Sequence, residues 1–330
     1  MQAMSSPWLP VMLVLLGVLH ALAAYFYFSK EGRAWPWSAA WLLFTLGCVV
    51  WWASSPIGAL LVFMTAIVAW TMWWDSIPAS ITRDWVVENA RQATAMVTDD
   101  ELIVHDLRNF EWRSAHDFVP RWEVRRYALG QLIAVDLFVC SWGDPRIAHL
   151  IVSFVFGATP PLAFSIETRR ETSEHWSILA GFMKSYELIM IAADERDVVR
   201  LRSNVRGEQV ARYRLKTTPQ MRRSLLGQYI AQMNGLIGRP RFYNTLMRNC
   251  TTEVVSILRA AGRPLPLDWR IWASGYVPQY LHERGLLEDQ RTFAAIAAHA
   301  DIRASAQAAN DEVDFWRRIR QNHPPTVTRD

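Results

Sequence analysis

Charge is what the first 74 residues of this 330-residue chain lack. The chain holds 35 Lys and Arg and 31 Asp and Glu, yet only Lys30, Glu31 and Arg33 precede Asp75. That absence excludes a single water-soluble domain, because residues 34–74 carry no charged side chain while the part from Asp75 onward has ordinary soluble-domain density. Lysine is scarce too, at Lys30, Lys184 and Lys216 only; the arginine excess reads either as codon bias or as a phosphate-binding surface. A net charge of +4 with no basic run interleaved with aromatics gives no nucleic-acid footprint. Three cysteines (Cys48, Cys140, Cys250) cannot make a disulfide framework. No His, Cys, Asp or Glu cluster has metal-ligand spacing, so neither metal nor cofactor is expected.

What is present is apolar length. Trp8 to Phe28 is long enough to cross a hydrocarbon core of about 30 Å at about 1.5 Å per residue. Residues 34–74 are broken at Ser54-Ser55-Pro56-Ile57-Gly58, giving expected spans of 8–28, 37–53 and 57–74. Of the 17 tryptophans, nine fall here, most at span ends as interfacial belts. His20 lines a polar path or packs between helices. The few basic flanking residues, Lys30, Arg33, Arg83 and Arg91, argue by the positive-inside rule for a cytoplasmic domain after the third span.

The sequence therefore divides into an anchor (1–76), a catalytic-sized domain (77–290) and a helical tail (291–330) that is disordered from Gln321. Thr82 can cap a helix over Arg83–Ala95. Runs rich in β-branched and aromatic residues predict strands at 131–138, 149–156, 162–168, 186–193 and 209–215. Thr218-Pro219 opens a helix that Gly238 and Pro240 close, and Asn249 caps another to Ala261. Strands followed by helices imply an α+β fold.

Two residues draw chemical attention. With Asn249 as N-cap, Cys250 becomes the first helical residue, where free backbone N–H groups and the helix dipole favour a thiolate; a buried small hydrophobe fits as well. His149 opens a strand whose hairpin partner carries Ser165, Glu167 and Arg169. If residues 157–161 close that hairpin, His149 faces Arg169, with Glu167 diagonal to it on the same face. A carboxylate so placed can orient an imidazole, and a surface histidine beside an ion pair is the plainer alternative. Arg169 and Arg170 can hold a phosphate or carboxylate, or else pair with Glu167 and Glu171. Ser165 is either structural or part of a substrate site.

The motifs RDW (83–85), IAHLIVSFVF (147–156), SIETRRE (165–171), YELIMIAADERDVVRLR (186–202) and FYNTLMRNCTTEV (242–254) occur in the order found in the Lnb-type lipoprotein N-acyltransferase domain, and residues 80–290 resemble that family. The resemblance implies a circularly permuted NlpC/papain-like fold with the histidine strand before the cysteine helix. It implies Cys250 as nucleophile and His149 as general base, with Glu167 as an orienting residue added from the hairpin geometry. The substrate- and oxyanion-binding candidates are Asn249, Asn244, Arg169 and Ser165. The implied reaction moves an acyl chain from a phospholipid to Cys250 as a thioester, then to an amine acceptor such as a lipoprotein N-terminus. It also implies a periplasmic domain on a bacterial inner membrane, which three spans deliver from a cytoplasmic N-terminus. A Cys-His cell-wall amidase or peptidase, and a non-enzymatic membrane protein, are the competing expectations.

Overall fold

The computed structural model describes residues 8–29, 32–262 and 265–321; the tail expected to be disordered lies, beyond Gln321, outside the described residues. The chain divides into two compact units, one of Met1–Asp84, Arg170–Glu187 and Arg241–Thr245, the other of Trp85–Arg169, Leu188–Pro240 and Leu246–Asp330.

The first unit contains α1 (Trp8–Phe28), α2 (Ala34–Trp52) and α3 (Pro56–Ser76). Each is long and apolar enough to cross a membrane, with mean hydropathy of 2.2, 1.3 and 1.8. Pro56 stands at the start of α3, where its missing N–H leaves nothing unpaired. Small residues let α1 and α2 approach closely. A Cβ on Gly17 would lie 2.2 Å from Thr45 Oγ1, so only glycine fits. His20 packs between helices, its ring 5.2 Å from that of Trp41 and 5.9 Å from that of Trp70, with Nδ1 bonded to the Leu16 carbonyl. Arg83 bridges Glu171 at 3.1 Å and Glu187 at 2.9 Å, so three motif residues of this unit serve its structure.

The second unit is built on an eight-stranded sheet. In chain order the strands are β1 (Thr94–Val97), β2 (Glu101–Arg108), the small hairpin β3 (Glu111–Trp112) and β4 (Phe118–Val119), β5 (Trp122–Ala128), β6 (Leu132–Ser141), β7 (Ala148–Phe156), β8 (Leu162–Arg169), β9 (Glu187–Asp194) and β10 (Gln209–Arg214). The sheet order is β1-β2-β9-β8-β7-β6-β10, with β5 also on β2. The helices are α4 (Glu195–Arg200), α5 (Pro219–Gly238), α6 (Cys250–Ala260), α7 (Val277–Glu283), α8 (Phe293–Ala300), α9 (Arg303–Ala308) and α10 (Phe315–Gln321). The architecture is α+β, three apolar helices followed by a sheet-containing domain.

Alternation along the strands sorts this core. Phe154 and Phe164 pack on Tyr229 of α5, and Leu137 and Val152 share a small cavity with Val254 and Leu258 of α6. Phe138, Cys140 and Ile151 point to the other face, where they join Val198, Ala306, Phe315 and Ile319 of α4, α9 and α10. On that second face Asp136 is fully buried and meets Arg212 at 3.0 Å and Arg320 at 2.8 Å, while Arg320 also pairs with Glu195 at 2.6 Å. The network pins α10 to the sheet.

Two expectations change. The helix expected over Arg83–Ala95 is a single 3-10 turn, Val87–Asn89, followed by β1. The Asn89 and Ala90 carbonyls are taken by the Arg169 guanidinium, at 2.9 and 2.8 Å, instead of by a following helical turn. The β7–β8 register is displaced by two residues, since Phe154, not Phe156, faces Leu162 and Ile151 faces Ser165. Phe156 pairs only with Leu132 of β6, because Pro160 and Pro161 have no N–H to extend the β8 ladder. An even displacement keeps every side chain on its face.

Candidate active site

Four elements of the second unit converge on the start of β7. Cys250 is the first residue of α6. Asn249 caps the helix, its side-chain oxygen accepting from the Thr251 and Thr252 N–H groups at 2.9 Å each, and the Thr252 hydroxyl accepts from the Asn249 N–H at 2.9 Å. This capping box fixes the entry of the chain into α6, and thereby the cysteine's position. The Leu150 and Thr251 backbone N–H groups favour the charged form of the thiol, and the sulfur lies 3.9 Å from Thr251 Oγ1. The Leu150 N–H is available because the β7–β8 register ends at Ile151↔Ser165, which leaves the β8 side of β7 open just beside His149.

His149 is buried, on the sheet face opposite Leu150. Its Nε2 lies 2.7 Å from Ser165 Oγ, and Ser165 Oγ donates at 2.7 Å to Glu167 Oε1. The displaced register explains the chain of contacts: Ser165 stands opposite Ile151, so residue 167, not Arg169, extrapolates to the position across from His149. The network also assigns the imidazole tautomer. Ser165 gives its proton to a carboxylate, so Nε2 carries the hydrogen that Ser165 accepts. Nδ1 is left as the basic atom.

Glu167 is kept ionised. Burial disfavours its charge, but Arg202 at 3.5 Å, with His149, Arg108 and the Ser165 hydroxyl, holds its carboxyl far below the usual range. Arg202 is itself buried and also pairs with Glu208 at 3.1 Å. It projects from a π-helical turn, Leu201–Val205, that continues α4 and is closed by the Arg206 N–H to Leu201 carbonyl bond at 2.9 Å. Such turns concentrate at functional sites.

The His149 imidazole and the Cys250 thiol are both neutral at rest. Burial, reinforced by Arg202 and Arg206 and opposed by Glu167, lowers His149 to about 3. Burial also raises the Cys250 thiol above its ordinary value, outweighing Leu150, Thr251 and Arg202. Among the described residues no hydrogen bond joins the sulfur to the imidazole, so the resting pair is thiol and imidazole, not thiolate and imidazolium. Cys140 faces His149 across β6–β7 and is pushed by burial to about 12, with Cys250, Arg202 and Glu167 in its electrostatic surroundings. All three cysteines are free.

The other candidate residues take other places. Arg169 is buried, with its guanidinium 4.5 Å above the Trp85 ring and bonded to the Asn89 and Ala90 carbonyls; it clamps the segment before β1. The Asn249 side-chain oxygen is the helix cap. Asn244 belongs to the first unit. Ser165 is the link between imidazole and carboxylate. Arg202 was not singled out in the sequence, although it closes the YELIMIAADERDVVRLR motif. A lone arginine on a helix gives no signal of a buried partner. Among the described residues no group of His, Cys, Asp and Glu could hold a metal.

The ground beneath the site is apolar. Cys250, Val254 and Leu258 lie at i, i+4 and i+8, one stripe of α6. Val254 and Leu258 line a cavity of about 10 Å³ with Val152, and Leu258 and Ala261 line a second of about 30 Å³ with Leu215 and Leu286. Four leucines, Leu215, Leu225, Leu258 and Leu281, are common to both.

No curated protein and no solved structure matches the chain significantly. Residues 118–275 match the family model of the Lnb N-terminal periplasmic domain, a segment that contains His149, Ser165, Glu167, Arg202 and Cys250. That match supports the resemblance to the Lnb family read from the motifs, in a chain that also carries three helices long and apolar enough to cross a membrane.

Proposed function

We propose that this protein is a thiol acyltransferase of the bacterial inner membrane, with its domain in the periplasm, and that it takes an acyl chain from a phospholipid and passes it to an amine such as a lipoprotein N-terminus. The observation that carries this reading is the linkage of Glu167, Ser165 and His149 beside a cysteine at a helix start. The same order of histidine strand and cysteine helix underlies the permuted NlpC/papain-like arrangement as part of the reading.

Since the thiol is neutral at rest, the first step is general-base catalysis. His149 Nδ1 takes the Cys250 proton as the sulfur attacks the ester carbonyl. The imidazolium gains from the Glu167 charge through Ser165. A backbone N–H at the start of α6 receives the developing oxyanion. Collapse breaks the ester bond, and the glycerol oxygen leaves with the imidazolium proton, giving a lysophospholipid and a Cys250 thioester. An amine then attacks the thioester carbonyl, loses its proton to His149, and expels the sulfur, which is reprotonated. The apolar stripe through Val254 and Leu258 supports an acyl substrate, because a chain on Cys250 meets carbon at each turn below it.

Mass spectrometry of the Cys250 peptide from protein purified out of cells tests this directly. An acyl thioester is expected, lost in Cys250→Ala and in His149→Ala while both variants stay folded and membrane-bound. Acyl labelling of Cys250→Ala at the wild-type level would defeat the nucleophile assignment.

A further inference from the structure

The segments that surround the start of β7 carry large apolar side chains on the outside. Leu267 is 76% exposed, Met247 75% and Trp269 62%, and Trp142, Ile147 and Trp272 are exposed as well. They come from three stretches of the second unit that are tied together. The Trp272 indole N–H donates to the Leu246 carbonyl at 3.1 Å. Gly275 N–H donates to the Arg146 carbonyl at 3.0 Å, and a Cβ on Gly275 would lie 1.9 Å from the Pro145 carbonyl oxygen. The Ser274 hydroxyl holds both the N–H and the carbonyl of Ala148. These side chains therefore form one rim, which runs directly into Asn249-Cys250 on one side and His149 on the other. Trp142 connects it to the interior, its ring 5.9 Å from the Arg202 guanidinium.

We infer that this rim is a bilayer-contacting surface, inserting Met247, Leu267, Trp269 and Trp272 at the level of the lipid headgroups. Contiguous exposed apolar surface marks an interaction site. The mixture of tryptophan with Leu, Met and Ile, bordered by exposed Arg146 and Arg248, suits an anionic lipid interface, where tryptophan rings sit at the headgroup level. The occupant is named by the chain itself. Three membrane-crossing helices tether this domain, so a bilayer is always present at high effective concentration. The inference goes beyond the proposed reaction and does not depend on the chemistry assigned to Cys250.

The test uses full-length protein in vesicles of phosphatidylethanolamine and phosphatidylglycerol, with p-benzoylphenylalanine placed singly at Met247, Leu267 or Val124. Val124 is an exposed apolar residue on β5, away from the rim by sequence and sheet position. A probe at Val62 in α3 reports that lipid labelling works. After illumination, mass spectrometry of the labelled peptides is expected to show lipid adducts at 247 and 267 severalfold above those at 124. Protein adducts in place of lipid adducts would assign the rim to a protein partner and overturn the inference. Equal lipid labelling at 124, or none at 247 and 267 while 62 is labelled, would overturn it too.

Discussion

Ser165 Oγ stands 2.7 Å from His149 Nε2 and donates its own proton to Glu167, so the serine is the nearer partner of the imidazole, with Glu167 Oε1 at 3.7 Å from the same nitrogen. In the proposed reaction Ser165 is a positioning residue. Ser165→Ala is expected to leave the fold intact by circular dichroism and to reduce acyl labelling of Cys250 by roughly 10- to 100-fold, the range seen when a ligand-orienting partner is removed. A merely structural serine would lower the melting temperature and leave labelling of the remaining folded protein unchanged.

The resting thiol offers a second test. Because burial raises the Cys250 thiol, its alkylation by iodoacetamide should be slower at neutral pH than that of a free cysteine and should still be rising at pH 9. Mass spectrometry of the Cys250 peptide against time at each pH measures this. Rapid alkylation at pH 6 would show a preformed thiolate and require a different first step.

His149, lowered to about 3, remains an unprotonated base through the whole neutral and mildly acid range, so the pH–rate profile should lack an acid limb near the usual histidine value. The same group has a stability consequence. Its folded pKa lies below the unfolded one, so the unfolded chain binds the proton first, and stability falls as pH drops below about 6.5.

Arg202→Met removes the principal charge that keeps Glu167 ionised. The Glu167 carboxyl should then protonate at higher pH than in the wild type, and activity should be lost on the acid side at a pH where the wild type still works. The midpoint of the acid limb, compared between the two proteins, decides the matter. If Arg202 only fills space, the loss will be the same at every pH.

Asp136→Asn leaves Arg212 and Arg320 with less opposing charge in a fully buried place. The expected cost is about 3–5 kcal/mol in denaturant unfolding. In the wild type this contribution is lost only in acid. Arg212, Arg320 and Arg214 hold Asp136 below its ordinary value of 3.8 against burial, so its stabilisation is complete above that value and declines as pH falls beneath it.

The parts of the molecule legible in the sequence are those written in a strong period or a local rule. The three apolar helices, the β-branched strands β6 to β10 and the Asn249 cap all follow from pattern. So does the sharing of one face by His149, Ser165 and Glu167, because the displacement of two residues preserved it. What stayed hidden depends on partners distant in sequence. β1 is only four residues long, β2 and β5 are mixed in polarity, and β5 carries Arg125 and Arg126, whose pairing with Asp194 and Glu101 appears only in the fold. Arg83 to Ala95 reads as helix until Arg169, distant in sequence, takes the carbonyls of Asn89 and Ala90. The face of Ser165 was legible, but its place between His149 and Glu167 depends on the β7–β8 register.

The π-helical turn Leu201–Val205 ends the helix begun by α4, and Arg202 sits inside it. Its wider turn sets where the chain leaves the helix, and Glu208 returns from there to Arg202, through its N–H to the Arg202 carbonyl at 2.9 Å and its carboxylate to the guanidinium at 3.1 Å. Deleting Ser203 or Asn204 would let the segment close as a regular helical turn, with better backbone bonding, while Arg202 kept the phase given by α4 and Glu208 was drawn out of place. The shorter chain would be the more comfortable helix and would lose the second carboxylate that holds Arg202. The site is thus tuned by a count of residues as much as by their kinds.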